Sequence, residues 1–163
     1  MKPAVLTFAI LATAVTASGC NKVQSAKPAA SAEQAFSEAD ADKVADATVD
    51  VWKSMDAAKI KALYAPSVQA FDFAVPGLAK DRAEFDKRQD AYAEAKLDGA
   101  TQLERKVQVL SPNAFVMSGT WDMSSSAVPA NKATVRCTDV FEKDPNGNWL
   151  IVNEHCSQAP KPA

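Results

Sequence analysis

The sequence has few of the residues that several common functional sites require. Its single histidine, His155, excludes a histidine-rich metal site and the H-E-x-x-H helix of zinc proteases. Its five glycines lie too far apart for a G-x-G-x-x-G or P-loop nucleotide site. A net charge of −2 lacks the basic excess that is typical of nucleic-acid-binding domains. We therefore expect no nucleic-acid partner, no metal site and no cofactor.

The N-terminus carries the pattern of a secretory signal. Residues 4–16 form an apolar run that is shorter than the roughly 20 residues a membrane-spanning helix needs, and that fits a signal peptide. The following Ala17-Ser18-Gly19-Cys20 resembles the lipobox of bacterial lipoproteins, which implies cleavage before Cys20 and lipidation of its sulfur. The alternative is a plain secreted protein that is cut near Ala17. Asn21 after the cysteine suggests the periplasmic face of the outer membrane, with the membrane as a partner through the lipid anchor.

Composition divides the chain into four segments. Residues 1–19 are the predicted lipoprotein signal peptide, and residues 20–37 are the predicted lipidated Cys20 followed by a flexible tether rich in Ala, Ser, Gln and Lys. Residues 38–158 are the predicted folded domain, and residues 159–163 a disordered tail. This length leaves room for one ordinary globular domain.

The periodicity of apolar residues changes once along the folded part. Before Gly99 it predicts three helices: one over about 38–55, a short one after the N-cap Asp56, and one from Asp81 to about residue 95. A short strand is expected at 68–73, with Pro66 ending the second helix. After Gly99 the period becomes two, which predicts four antiparallel strands. The fold class is therefore α+β, a cone-shaped curved antiparallel sheet packed on three N-terminal helices.

Two segments carry a family resemblance. The first has the pattern D-x-x-x-L-x-x-L-Y-A at Asp56, Ile60 and Leu63-Tyr64-Ala65. The second has V-F-x-K-x-x-G-x-W-x-I-V-x-x-H-x-S at Val140-Phe141, Lys143, Gly147, Trp149, Ile151-Val152, His155 and Ser157. Together they resemble the SnoaL-like branch of the nuclear transport factor 2-like superfamily. The resemblance implies a cone that opens at one end onto a pocket. It implies no single chemistry, because the catalytic sets of ketosteroid isomerases and epoxide hydrolases of that superfamily have no residue-by-residue match here.

The last hairpin predicts which residues face the pocket. Pro145 and Gly147 suit a three-residue turn, which pairs Asp139 with Asn153 and Cys137 with His155. The more apolar face, taken as the inner one, then carries Asp139, Asn153 and His155. An Asp139–His155 pair is a candidate general-base dyad, or equally a buried histidine satisfied by a neighbouring acceptor. Trp52, Tyr64, Phe73 and Trp121 are predicted as apolar pocket walls, with simple core packing as the alternative.

The two cysteines after Cys20 lie on neighbouring predicted strands. With the three-residue turn, Cys137 and Cys156 point to opposite faces, so a disulfide requires a β-bulge. With a two-residue Asn146-Gly147 turn they lie directly opposite each other, in a geometry that is less favourable for a bridge. In an oxidising compartment we expect the disulfide rather than two free thiols.

These features support three hypotheses on function. The first is a lipid-anchored periplasmic domain whose cone binds a small apolar or amphipathic ligand, or a partner protein. The second is an isomerase- or hydrolase-type enzyme that uses Asp139 and His155. The third is a structural homodimer that pairs through the exposed face of the sheet. The sequence alone does not decide whether the protein is an enzyme.

Overall fold

A computed structural model describes residues 35–95, 99–126 and 132–159. The predicted signal peptide, Cys20 and nearly all of the predicted tether and tail lie outside these ranges. Within them the chain has three helices and five strands in the order α1 (Glu38–Ser54), α2 (Ala57–Ala62), β1 (Tyr64–Phe71), α3 (Arg82–Glu94), β2 (Gly99–Ser111), β3 (Ala114–Ser124), β4 (Lys132–Lys143) and β5 (Trp149–Gln158). The predicted α+β class, with helices packed on a curved sheet, is confirmed.

Side-chain caps determine where the helices begin. Ser37 and Asp40 form a capping box at the start of α1, in which each side chain accepts a hydrogen bond from the other residue's backbone N–H. Asp56 caps α2 by accepting from the N–H groups of Ala58 and Lys59, as its position in the sequence predicts. The Asp81 carboxylate accepts from the backbone of Glu84 in the first turn of α3.

The sheet order is β1-β5-β4-β3-β2, and it differs from the prediction at one edge. Strands β2 to β5 pair antiparallel, but β1 pairs parallel with β5, so the sheet is mixed rather than antiparallel throughout. Strand β1 also begins at Tyr64, earlier than predicted, and Pro66 lies inside it. Proline is tolerated there because β1 is an edge strand with an irregular register, where one N–H is not needed for the ladder.

The helices cover one face of the sheet and bury a core of aromatic and aliphatic side chains. Phe115 and Phe141 stack with their ring centroids 4.4 Å apart and are completely buried, together with Phe85 of α3. A second cluster, which contains Val49 and Trp121, lies towards the other end of the same face. Between these two clusters the buried face turns polar, and the candidate site is found there.

A β-bulge in the last hairpin decides which side chains reach that face. The turn is the predicted three-residue one, with Gly147 at φ +90° in the left-handed region and Asp144 paired with Asn148. Phe141 pairs with Ile151, but the next residue pair is Val140 with Asn153, so Val152 is an extra residue.

The bulge changes the register by one residue and therefore reverses the faces of β5 beyond it. Asp139 pairs with Glu154, and Cys137 pairs with Cys156. The predicted inward positions of Asn153 and His155 are wrong, since both side chains are exposed. Glu154 and Cys156 occupy the buried face in their place.

Candidate functional site

The candidate site is a small pocket between the helices and the middle of the sheet. Its aromatic walls come from Trp52 of α1, Phe73 after β1, Tyr92 of α3 and Trp121 of β3. The volume open to the centres of water molecules is about 40 Å³. Since one water needs roughly 10–15 Å³ by this measure, the space accepts a few waters or one small polar head group.

Two carboxyl groups lie on the sheet side of this pocket. Asp139 and Glu154 are cross-strand neighbours, 5% and 6% exposed, and their oxygens approach within 4.8 Å. Burial raises the pKa of Glu154 to about 7, against the lowering effect of a hydrogen bond from Tyr64. Burial, followed by the charge of Glu154, also raises the pKa of Asp139 well above its usual value. Burial therefore favours the protonated forms of both carboxyl groups.

Tyr64 contacts the carboxyl pair through a hydrogen bond to Glu154. Its hydroxyl donates to Glu154 Oε2 at 2.5 Å, and its ring packs on Phe85 with the centroids 4.4 Å apart. Burial and the neighbouring carboxylates raise the pKa of Tyr64 well above its usual value, so it stays a hydrogen-bond donor. Tyr64 was predicted as a pocket wall, but it is not among the residues that line the pocket. It positions Glu154.

A third carboxyl group, Asp72, lines the pocket on the side of β1. Its Oδ1 accepts from the backbone N–H groups of Ala74 and Val75, which orders the turn after the strand. Its Oδ2 is buried with no hydrogen-bond partner among the described residues, and the same holds for the Tyr92 hydroxyl. Burial, then Asp72, raises the pKa of Tyr92. The Tyr92 ring stacks on Phe73 at 5.6 Å, so the two rings form one wall.

Asp139 is a buried carboxyl group with an oxygen atom that is unsatisfied within the described structure. Its Oδ1 is buried and has no hydrogen-bond partner among the described residues. Buried polar atoms nearly always have a partner, so such an atom requires an explanation. No Lys, Arg or His is among the described residues that line the pocket, so its three carboxyl groups face no protein cation there.

The structure separates the predicted site residues into two groups. Trp52, Phe73, Trp121 and Asp139 are among the residues that line the pocket, and Cys137 and Cys156 line it as a disulfide. His155 lies on the opposite face of the sheet, with its ring 5.5 Å from that of the exposed Phe71. The predicted Asp139–His155 dyad is therefore absent.

The sequence prediction of the site lacks four polar residues that line the pocket: Asp72, Gln89, Tyr92 and Glu154. The unbulged register places Glu154 outside. Asp72 falls in the strand expected at 68–73, on the face opposite Phe73, whereas β1 ends at Phe71. Gln89 and Tyr92 share a helix face with the core residue Phe85, and helical spacing does not separate site residues from core residues. The signal that could have found Glu154 is the cysteine pair, since bringing Cys137 opposite Cys156 also brings Asp139 opposite Glu154.

The donor set does not favour a metal ion. Asp139, Glu154 and Cys156 place possible ligand atoms within 4.8 Å of one another. Cys156, however, is bridged to Cys137, and a disulfide sulfur is not the thiolate that binds metals. Two carboxyl groups are left, both with a raised pKa.

Comparison with known proteins identifies the fold. No family model matches the sequence, and no curated protein matches it. Solved structures do match. A Xanthomonas campestris protein named for the association domain of calcium/calmodulin-dependent protein kinase II is 21% identical with a TM-score of 0.64, over 77% of this chain and 90% of that one.

Two further solved structures agree. A nuclear transport factor 2-like protein of unknown function from Pseudomonas putida is 16% identical with a TM-score of 0.64, over 76% of this chain and 86% of its own. A ketosteroid isomerase-like protein from Erwinia carotovora is 14% identical with a TM-score of 0.63, over 74% and 94% respectively. The chain therefore has the nuclear transport factor 2-like fold. Identities this low show the fold alone.

None of the helices in the described ranges combines the length and the apolar character that a membrane span needs.

Proposed function

We propose that this chain is a lipid-anchored periplasmic domain whose pocket binds a small amphipathic molecule. The observation that carries the proposal is the unpartnered Oδ1 of Asp139, buried at a pocket with aromatic walls. Leaving such an atom without a partner costs roughly 1–3 kcal/mol, and a ligand that donates a hydrogen bond to it recovers part of that cost. Apolar walls with a few convergent polar groups are the usual composition of a small-molecule site.

The direct test is binding. A panel of small amphipathic molecules is screened by thermal shift against the wild type and Asp139→Asn, with Glu142→Gln as the control because it changes an exposed carboxylate of the same strand. We expect ligands that stabilise the wild type and the control but not Asp139→Asn. If no member of a broad panel stabilises the wild type, the binding function is refuted.

The proposed location rests on the lipobox-like Ala17-Ser18-Gly19-Cys20 and on Asn21 after it. In a Gram-negative host, the protein should fractionate with outer membranes, and Cys20→Ser should release it. Mass spectrometry of the native protein should show a diacylglyceryl-modified Cys20. An unmodified Cys20 would contradict the anchor.

A second candidate function is a proton-transfer enzyme. The specific observation in its favour is a buried carboxyl pair in which Glu154 has a pKa of about 7, a value suited to a general base near neutral pH. In this assignment Glu154 accepts the proton and Asp139, in its neutral form, donates a hydrogen bond to the substrate. The test is deuterium exchange at the α-carbon of a small ketone in D2O, with Glu154→Gln as the inactive variant. Exchange no faster than in buffer excludes this candidate for that substrate class.

A homodimer through the exposed face of the sheet is a separate proposal about partners. It is motivated by Phe71, which is 46% exposed beside His155. Light scattering on the purified protein decides it, since a monomer at high concentration contradicts the dimer.

A further inference from the structure

We propose that the ligand of this pocket is a small primary amine, whose ammonium group binds between Asp139 and Glu154 while its apolar part lies against the aromatic walls. This inference rests on the proposed binding function and specifies its ligand class. Its first support is charge. Three carboxyl groups, those of Asp72, Asp139 and Glu154, line the pocket, and no cationic residue is among its described lining.

The second support is the hydrogen-bond demand of the empty pocket. Asp139 Oδ1 is a buried acceptor without a partner among the described residues, and Asp72 Oδ2 is a second buried acceptor, close to the Tyr92 hydroxyl. An ammonium group carries three N–H donors, so it can donate to both carboxyl groups at once. An alcohol offers one donor, and a carboxylate ligand offers no donor and adds a negative charge. The Asp139 and Glu154 oxygens approach within 4.8 Å, which lets one nitrogen contact both.

The third support is size and wall chemistry. About 40 Å³ open to water centres accepts an ammonium head group, whereas four methyl groups around a nitrogen require more space. Trp52, Phe73 and Tyr92 are half-buried, so they form the outer part of the pocket, where an alkyl or aryl substituent would lie. Indole and phenol faces also attract cations. The aromatic faces attract either kind of ammonium, whereas the small volume and the acceptor left unpartnered among the described residues favour a primary amine over a quaternary one.

Binding of this kind is linked to proton release. Without a ligand the raised pKa values of both carboxyl groups favour a protonated pair. An ammonium ion between them favours the ionised forms, so the proton leaves when the amine binds. Among the described residues, three groups of titratable side chains surround the pair. Tyr64 donates a hydrogen bond to Glu154, Asp72 directly follows β1, and Tyr92 lies on α3 with its neighbour Arg88. Both tyrosines have raised pKa values and stay neutral, so the carboxyl groups determine the pH dependence.

Calorimetric titration of the full-length protein tests the inference with three probes: propylammonium, 1-propanol and tetramethylammonium. At pH 8 we expect propylammonium to bind at least about tenfold more tightly than either other probe. Its affinity should fall by about tenfold or more between pH 8 and pH 5.5, where the carboxyl groups are protonated while the amine stays charged. Titrations in buffers of different ionisation enthalpy should show proton release on binding.

Variants locate the site. Asp139→Asn should abolish the preference for propylammonium, and Tyr92→Phe should weaken binding without lowering stability, because the hydroxyl has no partner in the described structure. Glu142→Gln, which changes an exposed carboxylate of the same strand, should bind as the wild type does.

The outcomes separate this inference from the proposed function. If 1-propanol binds as tightly as propylammonium and Asp139→Asn abolishes both, the amine is wrong and the pocket function stands. If propylammonium binds but Asp139→Asn binds it equally well, the amine site is elsewhere and this inference is overturned. If neither these probes nor the amphipathic panel binds, both proposals fail together.

Discussion

Burial raises the pKa of Glu154, and the hydrogen bond from Tyr64 opposes that rise. That bond is the one contribution that lowers the pKa of Glu154 against burial and the charge of Asp72. The sequence places Tyr64 in a family-like L-Y-A stretch and predicts it as a wall of the pocket. Its true partner is 90 residues further along the chain. A contact this distant depends on the bulge at Val152, which local periodicity does not report.

Tyr64→Phe removes this donor and leaves the ring in its place. At pH 8 we expect a loss of unfolding free energy of roughly 1.5–3 kcal/mol, since a hydrogen bond to a charged group is lost. At pH 5, where Glu154 is neutral, the loss should be smaller, about 1 kcal/mol. Urea unfolding at both pH values measures the two losses. Tyr92→Phe is the matched control and should cost little at either pH; equal costs for the two variants would contradict the account.

At the scale of elements, the β4–β5 hairpin brings the site together. The turn residues Pro145 and Gly147 predict the loop, and the loop predicts the register correctly as far as Phe141 and Ile151. Beyond that point the extra residue Val152 reverses the face of every following side chain. Nothing in its local sequence marks Val152 as a bulge. The two cysteines do indicate a bulge, because a Cys137–Cys156 disulfide and a three-residue turn are compatible only if β5 contains one.

The disulfide should stabilise this hairpin and with it the pocket. Cys137 and Cys156 are 19 residues apart, and a loop of that length corresponds to about 3 kcal/mol of stabilisation by loop-closure entropy. Reduction, or the double variant Cys137→Ala with Cys156→Ala, should lower the unfolding free energy by up to that amount. Urea midpoints with and without a reductant measure it. In the double variant the reductant should have no further effect, because Cys20 is the one cysteine left in the sequence. A wild-type midpoint that does not change with the reductant would contradict the stabilisation by the disulfide.

At the scale of the whole molecule, the burial of two carboxyl groups determines how stability depends on pH. Asp40, with a pKa lowered to about 2, and Asp56, Glu84 and Asp144, with lowered pKa values, stabilise the fold when ionised. That contribution is lost as the pH falls below about 4. Asp139 and Glu154 have raised pKa values, so they stabilise the fold when protonated rather than when ionised. Their contribution is complete at low pH and is lost as the pH rises towards and through 7.

The unfolding free energy should therefore be greatest near pH 4–5 and decline towards pH 8. Glu154 alone accounts for a decline on the order of 3 kcal/mol, because its pKa rises from 4.5 to about 7 on folding. Glu154→Gln should flatten the decline, since its amide still accepts from Tyr64 and carries no charge. Chemical unfolding at five or more pH values gives the curve. A wild-type protein that becomes more stable from pH 5 to pH 8 would contradict the claim that Asp139 and Glu154 form a buried carboxyl pair.

The fold as a whole was predictable to a greater extent than the site. The change of period at Gly99, the caps at Asp56 and Asp81 and the two family-like segments predict helices followed by a curved sheet, and the sheet is present. The parallel edge strand β1 was not predicted, because a residue pattern of period two does not report the direction of pairing. The site needs side chains from α1, α3, β3, β4 and β5 in register, and one unpredicted residue changes that register.

The most direct test of the account is the titration of the two buried carboxyl groups by 13C NMR in protein labelled at Asp and Glu. Asp139→Asn and Glu154→Gln assign the resonances. We expect a midpoint near 7 for Glu154 and a midpoint for Asp139 well above its usual value, with each shifting when the other is substituted. Independent midpoints below 5 for both groups would show that they do not form a buried pair at the pocket, and would contradict the central claim.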